Sequence, residues 1–242
     1  VTVVDFIDLG NVGYQQAWDL QKSVQARIIG EKLEERKLGK PITRSRDVLL
    51  FVEHPHVYTL GKSGKQDHLL ADEQRLAFLG AEFVKNDRGG DITYHGPGQV
   101  VGYPILDLDR HFTDIHRYLR TLEEMAIRTC ADFGLKAGRI EGLTGAWIGD
   151  KKICAFGVKC SRWVTMHGFA FNLNPNLAYF EAIVPCGIRD HGVTSLAEQL
   201  GEAPDMALVK RRLRHHFSDL FEVDVREVPS IPEWTSPIDD FK

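Results

Sequence analysis

Twelve residues from Arg88 to Gln99, Arg-Gly-Gly-Asp-Ile-Thr-Tyr-His-Gly-Pro-Gly-Gln, gather four glycines, an arginine and a histidine between two apolar runs. Glycine lets a backbone approach a ligand closely, so this loop is shaped to wrap something. The competing reading is a hairpin whose glycines serve only turn chemistry, but a two-residue turn needs one or two of them. No Gly-Lys-Ser/Thr follows, and Gly96-x-Gly98-x-x-x-Gly102 departs from dinucleotide spacing by one residue.

The second feature is Pro185-Cys186-Gly187-Ile188, a cysteine set in a turn between a stiffening proline and a glycine that removes bulk. Free cysteine is usually an inert core residue. A nucleophilic one needs a base or cation beside it, because the thiolate is the attacking form. His95, His167 and the adjacent Lys151 and Lys152 are candidates. On a strand the two lysines face opposite ways, so one is solvated while the other points inward. Spacing alone leaves the choice open. Of the four cysteines, Cys130 reads as helix packing and Cys154 as strand core. Cys160 has Lys159 and Arg162 nearby. His54-x-His56 offers two metal ligands without a matching third, so turn histidines fit better and no metal is expected.

These residues need a scaffold. The 242 residues, 43% apolar, suit one large domain over 1–228 and an extended C-terminal tail over 229–242. A net charge of −4 speaks against nucleic-acid binding. No run is long enough to span a bilayer. No signal peptide is visible, although the chain does not begin with Met. With no Cys-x-x-Cys pair, the cysteines read as reduced and the compartment as cytoplasm-like. Strands are expected at 3–9 (an edge), 47–53, 57–60, 81–84, 100–108, 163–173 and 223–228. A hairpin of 145–148 and 152–158 is expected about Gly149-Asp150-Lys151. Helices are expected at 14–37, 73–79, 114–134 and 205–221, the third capped by Asp114. Hairpins mixed with a few helices imply α+β with a mixed, largely antiparallel sheet and flanking helices. Lys210, Arg211, Arg212, Arg214, His215 and His216 make the last helix basic, either as a solvated face or as a docking patch for an acidic protein.

Taken together, the chain resembles the octanoyl-acyl-carrier-protein:protein octanoyltransferases, the lipoate-protein ligase B family. The resemblance runs from Leu9-Gly10, Tyr14 and Ala17-Trp18 to Thr194-Ser195-Leu196. It is carried by the Arg88–Gln99 loop, Lys152 with Ala155-Phe156-Gly157-Val158, His167-Gly168-Phe169-Ala170-Phe171-Asn172, and Pro185-Cys186-Gly187-Ile188. It implies the fold of biotin and lipoate ligase catalytic domains. It implies Cys186 as the acyl-carrying nucleophile and Lys152 as the group that lowers its pKa and moves protons. It further implies an acyl cleft lined by Arg88, Gly89, Gly90, Asp91, Ile92, Thr93, Tyr94, His95, Ala155, Phe156, Gly157, Gly168, Phe169 and Ala170. Phe156 stands where relatives often have Ile, which alters the wall but not the chemistry. The implied donor is octanoyl carried on the phosphopantetheine of acyl carrier protein. The implied acceptors are lipoyl domains of 2-oxoacid dehydrogenase complexes and the glycine cleavage H protein. The protein is expected to act as a monomer, without ATP or metal. The competing readings are an ATP-dependent lipoate or biotin ligase on the same fold, a non-catalytic binding module, and a metal-dependent hydrolase resting on His54 and His56.

Overall fold

The computed structural model describes residues 1–39, 46–184 and 191–229. Its main sheet has eight strands: β1 (Thr2–Asn11), β2 (Asp47–Glu53), β6 (Gln99–Ile105), β7 (Ala146–Ile148), β8 (Lys151–Ser161), β9 (Val164–Asn172), β10 (Gly192–Val193) and β11 (Val223–Glu227). They run in the order β10-β8-β9-β6-β2-β1-β11, with β7 also on β8. The joins β2–β6, β6–β9, β8–β9 and β7–β8 are antiparallel, whereas β1–β2, β1–β11 and β8–β10 are parallel. This is the mixed α+β arrangement that the sequence implies. A smaller sheet, β4-β3-β5, is built from β3 (Val57–Leu60), β4 (Glu82–Lys85) and β5 (Ile92–His95).

Helices cover both faces of the main sheet. On one face α3 (Ile115–Asp132) and α5 (Met206–Phe221) bring Tyr118, Leu122, Met125, Leu213 and Phe217 against Leu49, Phe51, Phe169 and Phe171. On the other face α1 (Tyr14–Leu38) packs Ala17, Val24 and Ile28 on Val48, Leu50 and Val101. The sequence explains where these helices begin. Asp114 accepts from the amides of His116 and Arg117, and Asp205 from that of Leu208, which satisfies donors a helix start leaves open. Gly39, left-handed at φ 60°, ends α1. A short α2 (Glu73–Leu79) flanks the small sheet and α4 (Leu196–Leu200) follows β10.

Two expectations need correction. β1 is not an edge strand, because β11 pairs with it in parallel from Thr2 with Val223 onward. Val4, Phe6 and Ile7 are all buried, so β1 is covered on both faces, and the edge falls to β11 with Asp224, Arg226 and Glu227, charges that suit an open edge. The strand expected over 100–108 ends at Ile105. Beyond it the Leu106 amide turns to Thr165 Oγ1, and Asp107 caps a 3₁₀ turn while pairing with Lys32 at 2.5 Å. Apart from Pro229, the tail expected over 229–242 lies outside the described residues, as does Pro41 beyond α1.

The pairing of β6 with β9 depends on two glycines. A Cβ on Gly168 would stand 2.2 Å from the Gly102 carbonyl oxygen, and one on Gly102 would stand 2.2 Å from the Phe169 ring. The first contact is with backbone, which cannot rotate away. Gly168→Ala should therefore lower unfolding free energy by roughly 1–3 kcal/mol. Urea denaturation checks this, and an unchanged midpoint would show that the strands can separate without cost.

Candidate active site

Strand β8 carries the site. Gly149, left-handed at φ 60°, opens the two-residue turn from β7 into β8, and the turn sets Lys152 opposite Trp147. On its other side Lys152 is opposite Val193 of β10. The adjacent lysines part as strand geometry requires. Lys151 reaches Glu198 at 3.3 Å in solvent, while Lys152 lines a cavity of about 420 Å³, its Nζ 4.7 Å from the centre of the Trp147 ring.

All the described residues implied for the site line this one cavity. They are Lys152; Arg88, Gly89, Gly90, Asp91, Ile92, Thr93, Tyr94 and His95 of the glycine loop; Ala155, Phe156 and Gly157 of β8; and Gly168, Phe169 and Ala170 of β9. The β8–β9 register brings the strand residues together, pairing Ala155 with Ala170, Phe156 with Phe169 and Gly157 with Gly168. Cys186 lies outside the described residues, as does the rest of 185–190. The Val184 amide donates to the His68 carbonyl at 2.8 Å, and His191 lines the cavity.

The glycine loop serves both purposes weighed from its sequence. Gly98, at φ 89°, makes the turn between β5 and β6, while residues 88–95 form cavity wall. Arg88 braces that wall. Its guanidinium donates to the carbonyls of Gly89 (2.9 Å), Thr59 (3.2 Å) and Asp91 (2.8 Å). Its stem lies on Gly157, where a Cβ would come within 2.6 Å of Arg88 Cδ. The loop is also tied to the hairpin beneath it. The Gly89 amide donates to the Val158 carbonyl, and Asp87 takes hydrogen bonds from His167 Nε2 (2.8 Å) and from Lys159. His167 is left-handed at φ 61°, a costly conformation for a non-glycine residue. It interrupts the alternation of β9 and sets the ring against Trp18 of α1.

The wall around the glycine loop is polar but largely uncharged. His54 donates Nδ1–H to the Val12 carbonyl at 2.6 Å and accepts from the Tyr103 hydroxyl at 2.6 Å. Burial drives His54 and His167 down to about 4 and His95 well below its ordinary value. Burial also pushes Tyr14 up to about 12 and Tyr103 well above its usual range. At neutral pH these imidazoles and phenols are uncharged.

The remaining candidates separate cleanly. Cys130 and Cys154 are fully buried, and burial raises their thiols, Cys130 to about 12. Cys160 is raised as well, and its neighbour Lys159 is taken by Asp87. None of the three is activated. His54 is engaged by Val12 and Tyr103, and His56 by the Tyr94 hydroxyl at 2.8 Å while it stacks on Tyr179 at 4.1 Å. Among the described residues no group of three or more His, Cys, Asp or Glu could hold a metal. On α5, Lys210 pairs with Asp8, Arg212 and His216 with Asp132, and Arg214 with Glu227, which favours the solvated-face reading. No described helix is long and apolar enough to cross a membrane. Trp147, Leu119, Leu143 and His191 also line the cavity but were not singled out from the sequence. For Trp147 the hairpin itself was the available signal.

The architecture is that of lipoate and biotin protein ligases. A bipartite lipoate protein ligase from Thermoplasma acidophilum superposes with a TM-score of 0.69 at 15% identity, over 96% of this chain and 88% of that one. A biotin protein ligase from Aquifex aeolicus superposes at 0.53 and 12% identity, over 90% and 70%. Residues 14–218 match the family described as lipoyl protein ligase A/B catalytic domain. An octanoyltransferase of Flavobacterium johnsoniae is 54% identical over 224 residues, 90% of this chain and 96% of that protein. The chain belongs to the octanoyltransferase family, whose members are acyltransferases.

The neutral histidines predict a pH dependence of stability. A histidine near 4 when folded and near 6.5 when unfolded leaves the unfolded chain holding more protons between those values. Stability is thus fully present above about pH 6.5 and falls as the pH drops toward 4, by up to roughly 1.4 kcal/mol per pH unit for each such histidine. Urea unfolding from pH 7 to 4.5 should show this slope and His167→Gln should reduce it; a flat wild-type profile would contradict the assignment.

Proposed function

We propose that this chain moves an octanoyl group from acyl carrier protein to a lipoyl-domain lysine through a thioester on Cys186, with no ATP and no metal. One observation carries the reading: an apolar cavity runs along β8, with Lys152 at one end and the Arg88-braced glycine loop at the other. Lys152 and Gly157 are five residue steps apart along the strand, about 17 Å of backbone. An acyl chain whose carbonyl lies beside Lys152 would pass Ala155, Phe156, Phe169 and Ala170. Each methylene buried there contributes about 0.8 kcal/mol.

Cys186 is two residues from Val184 and five from His191. Burial holds Cys130 and Cys154 as thiols, and the exposed Cys160 lies outside the cavity lining, which supports Cys186 as the nucleophile. In the first half-reaction the Cys186 thiolate attacks the carbonyl of the octanoyl-phosphopantetheine thioester. A C–Sγ bond forms, the C–S bond to pantetheine breaks, and the departing thiolate takes a proton from the Lys152 ammonium. In the second, the acceptor amine attacks the acyl-Cys186 carbonyl. A C–N bond forms, the C–Sγ bond breaks, and the amine's proton passes to the Lys152 amine. This restores the thiolate and ammonium pair. A thioester exchanged for a thioester and then for an amide runs downhill without a nucleotide.

The acceptors are lipoyl domains of 2-oxoacid dehydrogenase complexes and the glycine cleavage H protein, and the reducing cytoplasm suits a free thiol. Because Lys210, Arg212 and Arg214 of α5 pair within the chain, the helix contributes little steering, and raising salt should leave the encounter rate nearly unchanged.

Intact mass after mixing with octanoyl-acyl carrier protein should show one octanoyl adduct, sensitive to hydroxylamine and absent in Cys186→Ser. Lys152→Ala should stay folded and acylate roughly 10²–10⁴-fold more slowly. An adduct that persists in Cys186→Ser would overturn the thioester. Transfer that occurs only with free acid and ATP would favour the ligase chemistry instead.

A further inference from the structure

An imidazole nitrogen opens into the cavity. His95 is buried and lines the cavity wall. Its Nδ1 meets Gln99 Oε1 at 3.3 Å. Its Nε2 has no hydrogen-bond partner among the described residues and is not fully enclosed by protein, so it is the ring atom that meets the cavity. The ring is packed between Tyr14, stacked at 6.0 Å, and His54 at 5.9 Å. Both nitrogens of His54 are engaged elsewhere.

A chain of side-chain amides decides whether His95 Nε2 donates or accepts. Asn172 Nδ2 donates to the Thr194 carbonyl at 3.0 Å. A carbonyl only accepts, so Asn172 turns Oδ1 the other way, toward Gln99 Nε2 at 3.0 Å. Gln99 Nε2 also donates to the Tyr94 carbonyl at 3.2 Å. The two backbone carbonyls thus fix both amide orientations and leave Gln99 Oε1 facing His95. His95 Nδ1 must then carry the proton, and Nε2 the lone pair. Burial keeps the ring neutral by holding its pKa well below the ordinary value. The chain is rooted in the sheet: Gln99 of β6 stands opposite Asn172 of β9, and the Thr194 amide donates to the Lys152 carbonyl at 3.0 Å.

We propose that His95 Nε2 is a specificity-determining acceptor for a hydrogen-bond donor within the acyl chain, so that the cavity takes chains bearing a mid-chain hydroxyl as well as saturated ones. The inference rests on the acyl-cavity reading above and not on the identity of the nucleophile. A saturated chain needs only apolar wall, which Ala155, Phe156, Phe169 and Ala170 supply. A fixed lone pair gives a methylene nothing, and loses its hydration when one covers it. A hydroxyl at the matching carbon replaces that hydration with a hydrogen bond. A ketone at the same carbon only accepts, and sets lone pair against lone pair.

The test uses pantetheine carrying its acyl chain through an amide in place of the thioester, which cannot be transferred. The probes are the octanoyl form, the 4- to 7-hydroxyoctanoyl forms and the matching oxo-octanoyl forms. Calorimetry should find a position at which the hydroxy probe binds about tenfold more tightly than the oxo probe. Nitrogen NMR of labelled protein should show His95 as the Nδ1–H tautomer, with the Nε2 resonance moving when that hydroxy probe is added. His95→Leu should erase the difference. Equal binding of hydroxy and oxo probes at every position, an Nε2–H tautomer, or a preference that survives His95→Leu would overturn the inference. The wild-type comparison decides it even where His95→Leu does not fold. If no probe binds, the acyl-cavity reading falls and the inference with it. Protein that binds the probes but takes up no octanoyl from octanoyl-acyl carrier protein would overturn the thioester reading alone.

Discussion

A lysine ammonium set into the wall of an apolar cavity is costly, because its hydration must be replaced by fixed partners. Much of this molecule's local geometry answers that cost. Strand β8 delivers Lys152 between β7 and β10, where Trp147 supplies a cation-binding surface and Val193 closes the other side. Lys151, one residue earlier, turns outward to Glu198. The single-residue difference between a solvated and an inward lysine follows from strand pleat, and the β7–β8 turn fixes which residue points in.

The far end of the cavity meets a different constraint. A loop rich in glycine has high conformational entropy, and it lines a binding surface only if something fastens it. Three fasteners act here. Arg88 gathers the carbonyls of Gly89, Thr59 and Asp91 and lies on Gly157. The Gly89 amide joins the β8–β9 hairpin at Val158. Asp87 joins His167, which accepts a left-handed backbone to reach it. Arg88 thereby serves the cavity mainly as a brace, its guanidinium committed to backbone oxygens.

Much of this arrangement was legible in the chain. The long helices announce themselves by periodicity and by Asp114 and Asp205, and the β7–β8 hairpin by its glycine turn. The residues of the cavity wall came through the family resemblance that three glycine-containing motifs and a lysine carry. Other features were hidden for physical reasons. Whether β1 lies inside the sheet depends on β11, more than two hundred residues away, and local patterning carries no record of a distant partner. The neutral state of His54 and His95 arises from tertiary burial. The left-handed His167 looks like any strand residue in the sequence. The Trp147–Lys152 contact is within reach of the sequence, since a two-residue turn dictates which side chains face each other, although only the lysines of the hairpin stand out there as site candidates.

The central claim of the proposed function is spatial: an octanoyl group carried on Cys186 would lie along β8, from Lys152 toward Arg88. A crystal structure of the protein trapped with an octanoyl adduct tests this most directly. The account predicts continuous density from Cys186 Sγ past Phe156 and Phe169, with Lys152 Nζ within hydrogen-bonding distance of the thioester. Density leaving Cys186 for another surface, or an acylated sulfur far from Lys152, would contradict it.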